Sequence, residues 1–403
     1  MKCKICSANT DLVIDFGPMP IANGFIKSND QDEYTFPMTV NFCPVCKMVQ
    51  LGETVPPEKM FNDDYQFLSS TSTAMAKHFE MIARHLICEL KNKEDPFVVE
   101  LGCNDGIMLK HVAQSSIRHL GVEPSGNVAR MARENGVEVT SEFFHARTAK
   151  KIIDQYGNAD VIGGSNVFCH IEDINSVFEG IALLLKEDGT LYFEDPYIYD
   201  IIQKTSFDQI YDEHVYYYSG HSVQALGRRH GLELVDMLHQ DVHGGSMRYI
   251  LKKSGAQQPS ERVKDWLQKE RVLKLDQLEG YLDFKDRVDR ISKTLNQKLS
   301  ELKQMGERVV GYGATSKSTT LLNYAKVDAS LVEYISDTTP NKINKLTPRT
   351  HIPIKPYEEF SRDHVNYTLL LAWNHEKEIR AKEEQYINRG GKFITFFPEV
   401  EIK

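Results

Sequence analysis

The clearest pattern in the chain is an alternation of short apolar runs with amphipathic stretches between residues 97 and 250. The runs that we interpret as strands are residues 97–101, 119–123, 159–162 and 189–194. Before them, apolar residues recur at the helical spacing of three and four between residues 71 and 90. Strands that alternate with helices predict a mainly parallel sheet covered on both faces, which is an α/β fold.

The segments on either side of this region have different patterns. Residues 1–70 contain many turn-forming residues and only short apolar pieces, too few to stabilise a domain without a metal. Residues 259–305 are highly charged with apolar positions at helical spacing, which predicts one or two long connecting helices. A second strand, loop and helix then begin at residue 307, with further strands near 331–335, 367–372 and 392–396. We therefore predict three domains, 1–70, 71–252 and 253–403.

Two CxxC pairs mark the first domain as a metal site. Cys3 with Cys6 and Cys43 with Cys46 present two pairs of thiolates, and zinc is the usual ion for four thiolates. Because four cysteines fill a tetrahedral shell and leave no position for water, we assign the zinc a structural role. The alternative, four unrelated cysteines, does not account for two paired motifs. We expect the remaining three cysteines of the seven to be thiols.

A glycine-containing loop follows the first predicted strand of the middle domain. Its sequence, from Glu100 through Gly102 and Asn104 to Gly106, allows the backbone to approach a ligand that lies across the strand ends. Glu123 ends the next strand, where a carboxylate can accept both ribose hydroxyls. An acidic residue before the first glycine favours S-adenosylmethionine over a nicotinamide dinucleotide. The alternative is a glycine turn with no ligand.

The third domain contains a related loop. Gly311 and Gly313 follow a predicted strand, and Asp337 ends the next one, but Ser316 replaces the third glycine of a dinucleotide fingerprint. Backbone amides at the following helix start, helped by Lys317, Ser318 and Thr319, can bind a pyrophosphate because a helix amino terminus favours anions. The alternative is a loop that only turns the chain.

Charge and hydropathy restrict the partners and the compartment. A net charge of −9 argues against a nucleic-acid surface, because binding to phosphate backbones depends on a basic excess. A local cluster of Lys342, Lys345 and Arg349 can still bind one phosphorylated ligand. The chain has no apolar run of 18 residues or more, and no secretory leader follows Met1. We therefore expect a cytoplasmic protein with no membrane partner.

Several motifs in order along the chain resemble one enzyme family. They are residues 64–70, 100–106, 165–170, 211–214, 243–248, 311–317 and 371–374, in addition to the cysteine pairs. Together they resemble the sugar C-methyltransferases that act on nucleotide-linked keto-deoxysugars, and the resemblance covers essentially the whole chain. One departure is Ser318, where the family usually has glycine, which puts the phosphate contacts of that loop in question.

The resemblance implies a role for individual residues. The residues that it implies for S-adenosylmethionine are Tyr65, Ser70, Glu100, Gly102, Asn104, Gly106, Glu123 and Asn166. The residues that it implies for the nucleotide-sugar substrate are His243, Ser246, Arg248, Lys317, Ser318 and Asn374. The residues that it implies for catalysis are His214 as base, Glu213 and Tyr211 in support, and His170 or Tyr65 as donors to an oxyanion.

The chemistry is consistent with these roles. A bond from carbon to a sulfonium methyl group requires a carbanion, which is most accessible beside a ketone. Histidine suits removal of that proton because its pKa lies near neutral pH, and a neighbouring carboxylate can fix its tautomer. Two alternatives stay open: residues 211–218 are an aromatic stretch with a solvated histidine, and residues 243–245 are a tight turn that leaves Ser246 and Arg248 in solvent.

The spacing thus predicts an S-adenosylmethionine-binding enzyme with a Rossmann-like fold. The resemblance implies that it is a C-methyltransferase acting on carbon 3 of a nucleotide-linked 4-keto-6-deoxysugar, and we expect a monomer. An oxygen- or nitrogen-methyltransferase is one alternative, since it needs no enolate. An NAD-dependent oxidoreductase using the Gly311 loop is another. A non-enzymatic zinc-ribbon interaction module on an α/β scaffold is the third.

Overall fold

The computed structural model of the protein describes residues 1–28, 32–56 and 73–403. An antiparallel sheet lies at the amino terminus, built from β1 (Asp11–Pro20), β2 (Thr35–Phe42) and β3 (Val49–Leu51). Its fourth strand, β9 (Tyr216–Tyr217), pairs antiparallel with β3 although it lies in the middle of the chain. The cysteine-rich region is therefore joined by main-chain hydrogen bonds to the segment that follows residues 211–214.

The middle region forms a seven-stranded sheet with the order β10-β11-β8-β7-β4-β5-β6. Its strands are β4 (Phe97–Leu101), β5 (Arg118–Val122), β6 (Val139–Thr140), β7 (Ala159–Ser165), β8 (Leu185–Pro196), β10 (Leu232–Gln240) and β11 (Ser246–Lys253). Pairings from β6 to β8 are parallel, whereas β11 is antiparallel to both of its neighbours. This arrangement, with helices between the strands, confirms the predicted Rossmann-like α/β fold.

The helices of this region are amphipathic and cover the sheet. They are α1 (Thr73–Leu90), α2 (Leu109–Gln114), α3 (Gly126–Glu134), α4 (Ala146–Tyr156), α5 (Ile174–Leu184), α6 (Ile198–Lys204) and α7 (Gly220–Arg229). In α1 the buried face contains Phe79, Ile82, Ala83 and Leu86, which share a core with Val98 of β4. The apolar spacing in the sequence therefore identified the face that packs.

Two helices, α8 (Glu261–Val272) and α9 (Leu278–Gln304), connect to the third region. Its sheet has the order β14-β13-β12-β15-β16-β17, and only β17 is antiparallel. The strands are β12 (Val309–Tyr312), β13 (Ile335–Asp337), β14 (Ile354–Pro356), β15 (Tyr367–Leu370), β16 (Lys392–Thr395) and β17 (Glu401–Ile402). The helices are α10 (Ser318–Tyr324), α11 (Tyr357–Arg362), α12 (Glu376–Lys382) and α13 (Glu384–Asn388).

One strand of this region was predicted at the wrong place. The expected strand at residues 331–335 begins only at Ile335, because the amides of Leu331 and Val332 both donate to the carbonyl of Asp328 and form a turn. Val332 is buried in that turn, so its apolar character reflects packing and not a strand.

The three regions share apolar contacts. One core cluster combines side chains of the amino-terminal sheet, of α6 and α9, and of the third region, including Val13, Ile198, Val288 and Val309. The cluster therefore packs the third region against the amino-terminal sheet and α6. Among the helices that the structure describes, none is both long and apolar enough to cross a membrane.

Candidate functional site

The loop after β4 forms a cradle that only glycine allows. Gly102 has φ +62, and a Cβ there would lie 2.4 Å from Cγ2 of Val167. The Gly102 amide donates to the carbonyl of Val122 at 2.7 Å, which ties the loop to the end of β5. Gly106 also has positive φ, and its Cβ would lie 2.9 Å from Val137. Only glycine therefore allows the loop to turn this closely against Val167 and Val137 at the strand ends.

Two carboxylates face this cradle. Glu123 accepts hydrogen bonds from the amide of Asn104 at 3.1 Å and from the amide of Ser125 at 2.9 Å, which leaves each oxygen with capacity for a ribose hydroxyl. Glu100 is buried, and its Oε2 has no hydrogen-bond partner within the described chain. Burial, then the charges of Glu123 and Asp105, raises the pKa of Glu100. A buried acid with one unpaired oxygen fits a site that a ligand, such as the sulfonium cofactor, completes.

Asn166 lies opposite the Gly102 loop, after β7. Its backbone has φ +55, and its amide donates to the carbonyl of Glu194 at 2.7 Å. It therefore lies at the same end of the sheet as the cradle. Tyr65 and Ser70, the other predicted cofactor residues, lie outside the described residues.

His214 is held by two hydrogen bonds. Its Nδ1 lies 3.2 Å from the carbonyl oxygen of Gln209, and its Nε2 lies 3.1 Å from the hydroxyl of Tyr211. A carbonyl only accepts, so we assign the ring proton to Nδ1, and Nε2 accepts from the Tyr211 hydroxyl. Burial, then the charges of His170 and Lys317, lowers the pKa of His214 well below its usual value. The imidazole is consequently neutral at pH 7, the form that can accept a proton.

His170 stands beside this imidazole. The two rings have centroids 5.1 Å apart, and Nδ1 of His170 lies 2.7 Å from the carbonyl oxygen of Glu213. Burial lowers the pKa of His170 to about 4. Cys169, next to it, has its sulfur within 4.8 Å of a ring nitrogen of each histidine. The histidines thus form one uncharged cluster at pH 7, in which His214 is buried and His170 half-buried.

The carboxylate of Glu213 does not contact His214 in the way the sequence suggested. Instead, Oε1 of Glu213 accepts from Nδ2 of Asn23 at 2.6 Å. The tautomer of His214 is fixed by the Gln209 carbonyl, a main-chain group that side-chain patterns do not reveal. Burial raises the pKa of Glu213, and the Asn23 bond and the charge of Lys342 oppose that shift.

The third region closes the cleft with Lys317 and Trp373. Nζ of Lys317 lies 3.3 Å from the carbonyl of His243 and 5.9 Å from the centre of the Trp373 ring. Nε1 of Trp373 donates to Asp208 at 2.6 Å. Burial raises the pKa of Asp208 to about 6, and burial followed by the Lys317 charge lowers that of His243 to about 4. A cation therefore lies close to the proposed base.

The hairpin between β10 and β11 carries three predicted substrate residues. It is the tight turn that the alternative interpretation described, with His243, Gly244 and Gly245 all at positive φ. Ser246 is nevertheless fully buried, and Arg248 donates through Nε and Nη2 to Oε2 of Glu194, at 3.0 and 2.7 Å. Neither side chain faces solvent.

The carboxylate of Glu194 contacts two basic side chains, Arg248 through Oε2 and His78 through its other oxygen. Its other oxygen lies 2.6 Å from Nε2 of His78, which comes from α1. Glu194 is completely buried, and the His78 bond and the charge of Arg248 lower its pKa against the effect of burial. The guanidinium of Arg248 is thus occupied by an internal ion pair, and its predicted substrate contact stays a prediction.

Two predicted residues of the third region differ in position. The hydroxyl of Ser318 donates to the carbonyl of Thr315 at 2.6 Å, and its side chain is buried in the start of α10. Its amide and that of Thr319 bond within the same turn, to Thr315 and Ser316. Asn374, by contrast, is half-buried in the short turn Trp373–His375. The Ser318 hydroxyl is thus occupied within its own turn, and the substrate contacts of Ser318, Lys317 and Asn374 stay predictions.

The four paired cysteines converge as predicted. Sγ of Cys3 lies 3.5 Å from that of Cys46, and Sγ of Cys6 lies 3.5 Å from that of Cys43. Zinc bonds of ~2.3 Å imply thiolates about 3.8 Å apart in a tetrahedron, so the cluster fits the ion closely. All seven cysteines are free, as the odd count predicted.

Several residues of the site were missed from the sequence. They are Asn23, His78, Glu194, Asp208, Gln209 and Trp373. Most come from elements far apart in the chain and have ordinary local patterns. For Trp373, its place in the motif at residues 371–374 was a usable signal.

Family models match the chain in three consecutive segments. Residues 3–61 match a domain described as "Putative zinc binding domain", residues 75–237 match a methyltransferase domain, and residues 241–398 match a C-methyltransferase C-terminal domain. The order agrees with the three sheets of the structure.

The chain is also similar to individual proteins. The chain is 31% identical over 405 residues to C-methyltransferase NovU of Streptomyces niveus, covering 100% of this chain and 96% of that protein. A ubiquinone biosynthesis O-methyltransferase of Bordetella avium (strain 197N) is 28% identical over 98 residues, 24% of this chain and 41% of that protein. Among solved structures, magnesium protoporphyrin IX methyltransferase of Synechocystis PCC 6803 with bound SAM covers 44% of this chain and 79% of its own, with 12% identity and a TM-score of 0.34. The PH0226 protein of Pyrococcus horikoshii OT3 covers 50% of this chain and 97% of its own, with 17% identity and a TM-score of 0.36.

Proposed function

Because the chain belongs to the family of S-adenosylmethionine-dependent C-methyltransferases with an amino-terminal zinc-binding domain, we propose that it methylates carbon 3 of a nucleotide-linked 4-keto-6-deoxysugar. Its place is then in deoxysugar biosynthesis for a surface polysaccharide or a natural product. One observation supports the proposal most: a neutral imidazole, His214, has its proton-accepting nitrogen beside a tyrosine hydroxyl in a buried cleft. Carbon methylation next to a ketone needs such a base, whereas simple binding does not.

Different residues of the chain bind the cofactor and transfer the proton. Glu100, Glu123 and the Gly102 loop would hold the cofactor, which supplies an electrophilic methyl group when bound. Nε2 of His214 takes the proton α to the ketone, and Nδ1–H stays on the Gln209 carbonyl, which keeps the ring oriented while it becomes charged.

The enolate oxygen needs donors. The Tyr211 hydroxyl has one proton, which it donates to Nε2 of His214, so it turns to the enolate oxygen once Nε2 has taken the substrate proton. Neutral His170 holds its one ring proton on Nδ1 toward the Glu213 carbonyl and has no second one to donate, whereas Lys317 supplies positive charge. Such donors are worth most in a cleft without water, and His214 is buried. Each of these side chains is fixed before the substrate arrives, so little reorganisation is needed during the reaction.

The test is a product analysis. The enzyme is incubated with S-adenosylmethionine that carries a ¹³C-methyl group and with 4-keto-6-deoxyhexoses linked to dTDP, GDP or CDP. We expect a new methyl signal bonded to carbon 3 for one of these carriers. A signal with the chemical shift of an oxygen- or nitrogen-linked methyl group would contradict the proposal and revive the corresponding alternative.

Three accompanying features are part of the proposal. The zinc is structural, since four cysteines leave no open position for a substrate. A reducing compartment such as the cytoplasm suits seven free thiols. The third feature is a monomeric state.

A further inference from the structure

A second group of metal-ligand atoms lies at the proposed base, apart from the four paired cysteines. Sγ of Cys169 and one ring nitrogen each of His170 and His214 lie within 4.8 Å of one another. The three side chains come from the short turn that follows β7 and from the run that precedes β9. A main-chain hydrogen bond joins these two segments, from the amide of Val215 to the carbonyl of Cys169 at 2.7 Å. The backbone therefore holds the three donors together.

Both imidazoles make the hydrogen bonds that are typical of metal-ligating histidines. Nδ1 of His170 lies 2.7 Å from the carbonyl oxygen of Glu213, and Nδ1 of His214 lies 3.2 Å from that of Gln209. Because a carbonyl only accepts, each Nδ1 carries the ring proton and each Nε2 carries a lone pair. A histidine that binds a metal through one nitrogen usually donates the other N–H to a carbonyl or carboxylate, which fixes the ring for the ion. The second shell of a metal site is thus present at both rings.

The chemistry of the donors selects the ion. One thiolate and two imidazoles suit zinc and similar divalent transition metals, whereas magnesium and calcium prefer oxygen ligands. Bonds of ~2.0 Å to nitrogen and ~2.3 Å to sulfur place tetrahedral donors about 3.3–3.5 Å apart, so each donor moves by less than about 1 Å to close the site. Three protein ligands leave the fourth position to water, unlike the closed cluster of paired cysteines.

The charges around the cluster make it weaker than the site of the paired cysteines. Burial, then the charge of Asp195, raises the pKa of the Cys169 thiol, so a metal must displace the thiol proton into solvent. Lys317, whose charge helps to lower the pKa of His214, opposes a second cation there. The paired cysteines therefore take the first zinc ion, and the cluster binds a further one reversibly.

We propose that Cys169, His170 and His214 bind a second zinc ion that inhibits the enzyme. Nε2 of His214 is the atom that removes the substrate proton in the proposed function, and a nitrogen whose lone pair is bound to a metal cannot accept that proton. The Tyr211 hydroxyl, which lies 3.1 Å from this nitrogen, then turns to the water in the fourth position. The inhibition rests on the proposed function, whereas the binding of the metal does not.

The first experiment measures metal binding without substrate. The full chain, with zinc on its four paired cysteines, is titrated with Co²⁺, whose sulfur charge-transfer band reports a thiolate ligand. We expect a band that disappears in Cys169→Ala and in Cys169→Ser, while the zinc content stays constant. Cys88→Ala, which removes an exposed thiol, is the matched control and should leave the band unchanged. X-ray absorption at the cobalt edge should show one sulfur and two imidazole nitrogens, and this measurement needs no variant.

The second experiment measures methyl transfer. Zn²⁺ added beyond the structural ion should lower the rate at least about tenfold, because a general base contributes more than that. A weak chelator such as citrate should restore the rate, and Mg²⁺ in place of Zn²⁺ should have no effect. Cys169→Ala should still transfer the methyl group and should resist inhibition by zinc.

The outcomes separate this inference from the proposed function. A cobalt site with one sulfur and two imidazoles supports the metal site even if no sugar is methylated at carbon 3. Cobalt that binds only by replacing zinc among the four paired cysteines overturns the inference and leaves the methylation untouched. Cobalt bound at the cluster without loss of methyl transfer also overturns it, because His214 is then not a ligand. Equal zinc inhibition of Cys169→Ala and the unmodified enzyme has the same consequence.

Discussion

Asn23 offers a sharp test of how the amino-terminal region supports catalysis. Its Nδ2 donates to Glu213 at 2.6 Å, and its Oδ1 accepts from the hydroxyl of Ser316 at 2.6 Å. The preceding residue, Ala22, donates its amide to Asp212 and accepts from Thr319. This corner of the chain therefore joins the run that contains His214 to the third region. We predict that Asn23→Ala lowers kcat without changing cofactor binding.

The magnitude follows from the bond that is lost. A hydrogen bond to a charged group contributes about 1.5–3 kcal/mol, and each 1.4 kcal/mol corresponds to about tenfold in rate. If the bond serves to keep Glu213 and its neighbours in place for the reaction, kcat falls roughly 10- to 100-fold. Asn23→Asp should be worse than Asn23→Ala, because it sets a second carboxylate against Glu213.

The assay combines initial rates with calorimetric titration of S-adenosylhomocysteine. Ser316→Ala is the matched control, since it removes the other bond of Asn23 and leaves the Glu213 bond intact, so its effect on kcat should be smaller. Equal kcat for Asn23→Ala and the unmodified enzyme would refute the reasoning. So would an Asn23→Asp variant that is more active than the alanine variant, since like charges would then have no effect.

Three further predictions concern the cofactor loop, the buried ion pair and pH. Gly102→Ala places an alanine at positive φ with its Cβ 2.4 Å from Val167. Strain and overpacking of about 2–4 kcal/mol should therefore reduce the affinity for S-adenosylhomocysteine, measured by calorimetry. The control Gly136→Ala, which has open space around its Cβ, should leave that affinity unchanged. Arg248→Met leaves the buried Glu194 without the Arg248 guanidinium and should lower the free energy of unfolding by about 3–5 kcal/mol, measured by urea unfolding. The double variant with Glu194→Gln should recover part of that loss. A double variant as unstable as the single one would contradict the ion pair. Burial and neighbouring positive charge lower the pKa of His214. The base therefore stays neutral, and kcat should stay constant as pH falls to about 6.5, with the acid limb of the pH profile below that value. An acid limb above pH 7 that is absent from the profile of His214→Gln would show that the pKa shift has the opposite sign.

The sequence predicted those parts of the fold that depend on local patterns. Alternating strands and helices, the two CxxC pairs and Glu123 at the end of the second strand were all visible because period and spacing determine them. The strand at residues 331–335 was misplaced because Val332 is apolar for packing in a turn. Apolar character alone does not separate a buried turn from a strand.

The contacts between distant parts of the chain could not be predicted in this way. Asn23 reaches Glu213 across 190 positions, and β9 joins a sheet whose other strands lie near the amino terminus. The tautomer of His214 depends on a main-chain carbonyl, and the partner of Arg248 is a buried glutamate on another strand. Such contacts depend on how the helices and strands are arranged in space, which no single local pattern of side chains specifies.

Solvent exchange tests the central claim most directly, that His214 removes a proton beside the ketone. The unmodified enzyme, with S-adenosylhomocysteine in place of the methyl donor and an accepted nucleotide-linked 4-keto sugar, is placed in deuterium oxide and followed by NMR. We predict that the hydrogen on carbon 3 exchanges, and that His214→Gln abolishes this exchange while S-adenosylhomocysteine still binds. Exchange at an undiminished rate in the His214→Gln variant would contradict the account.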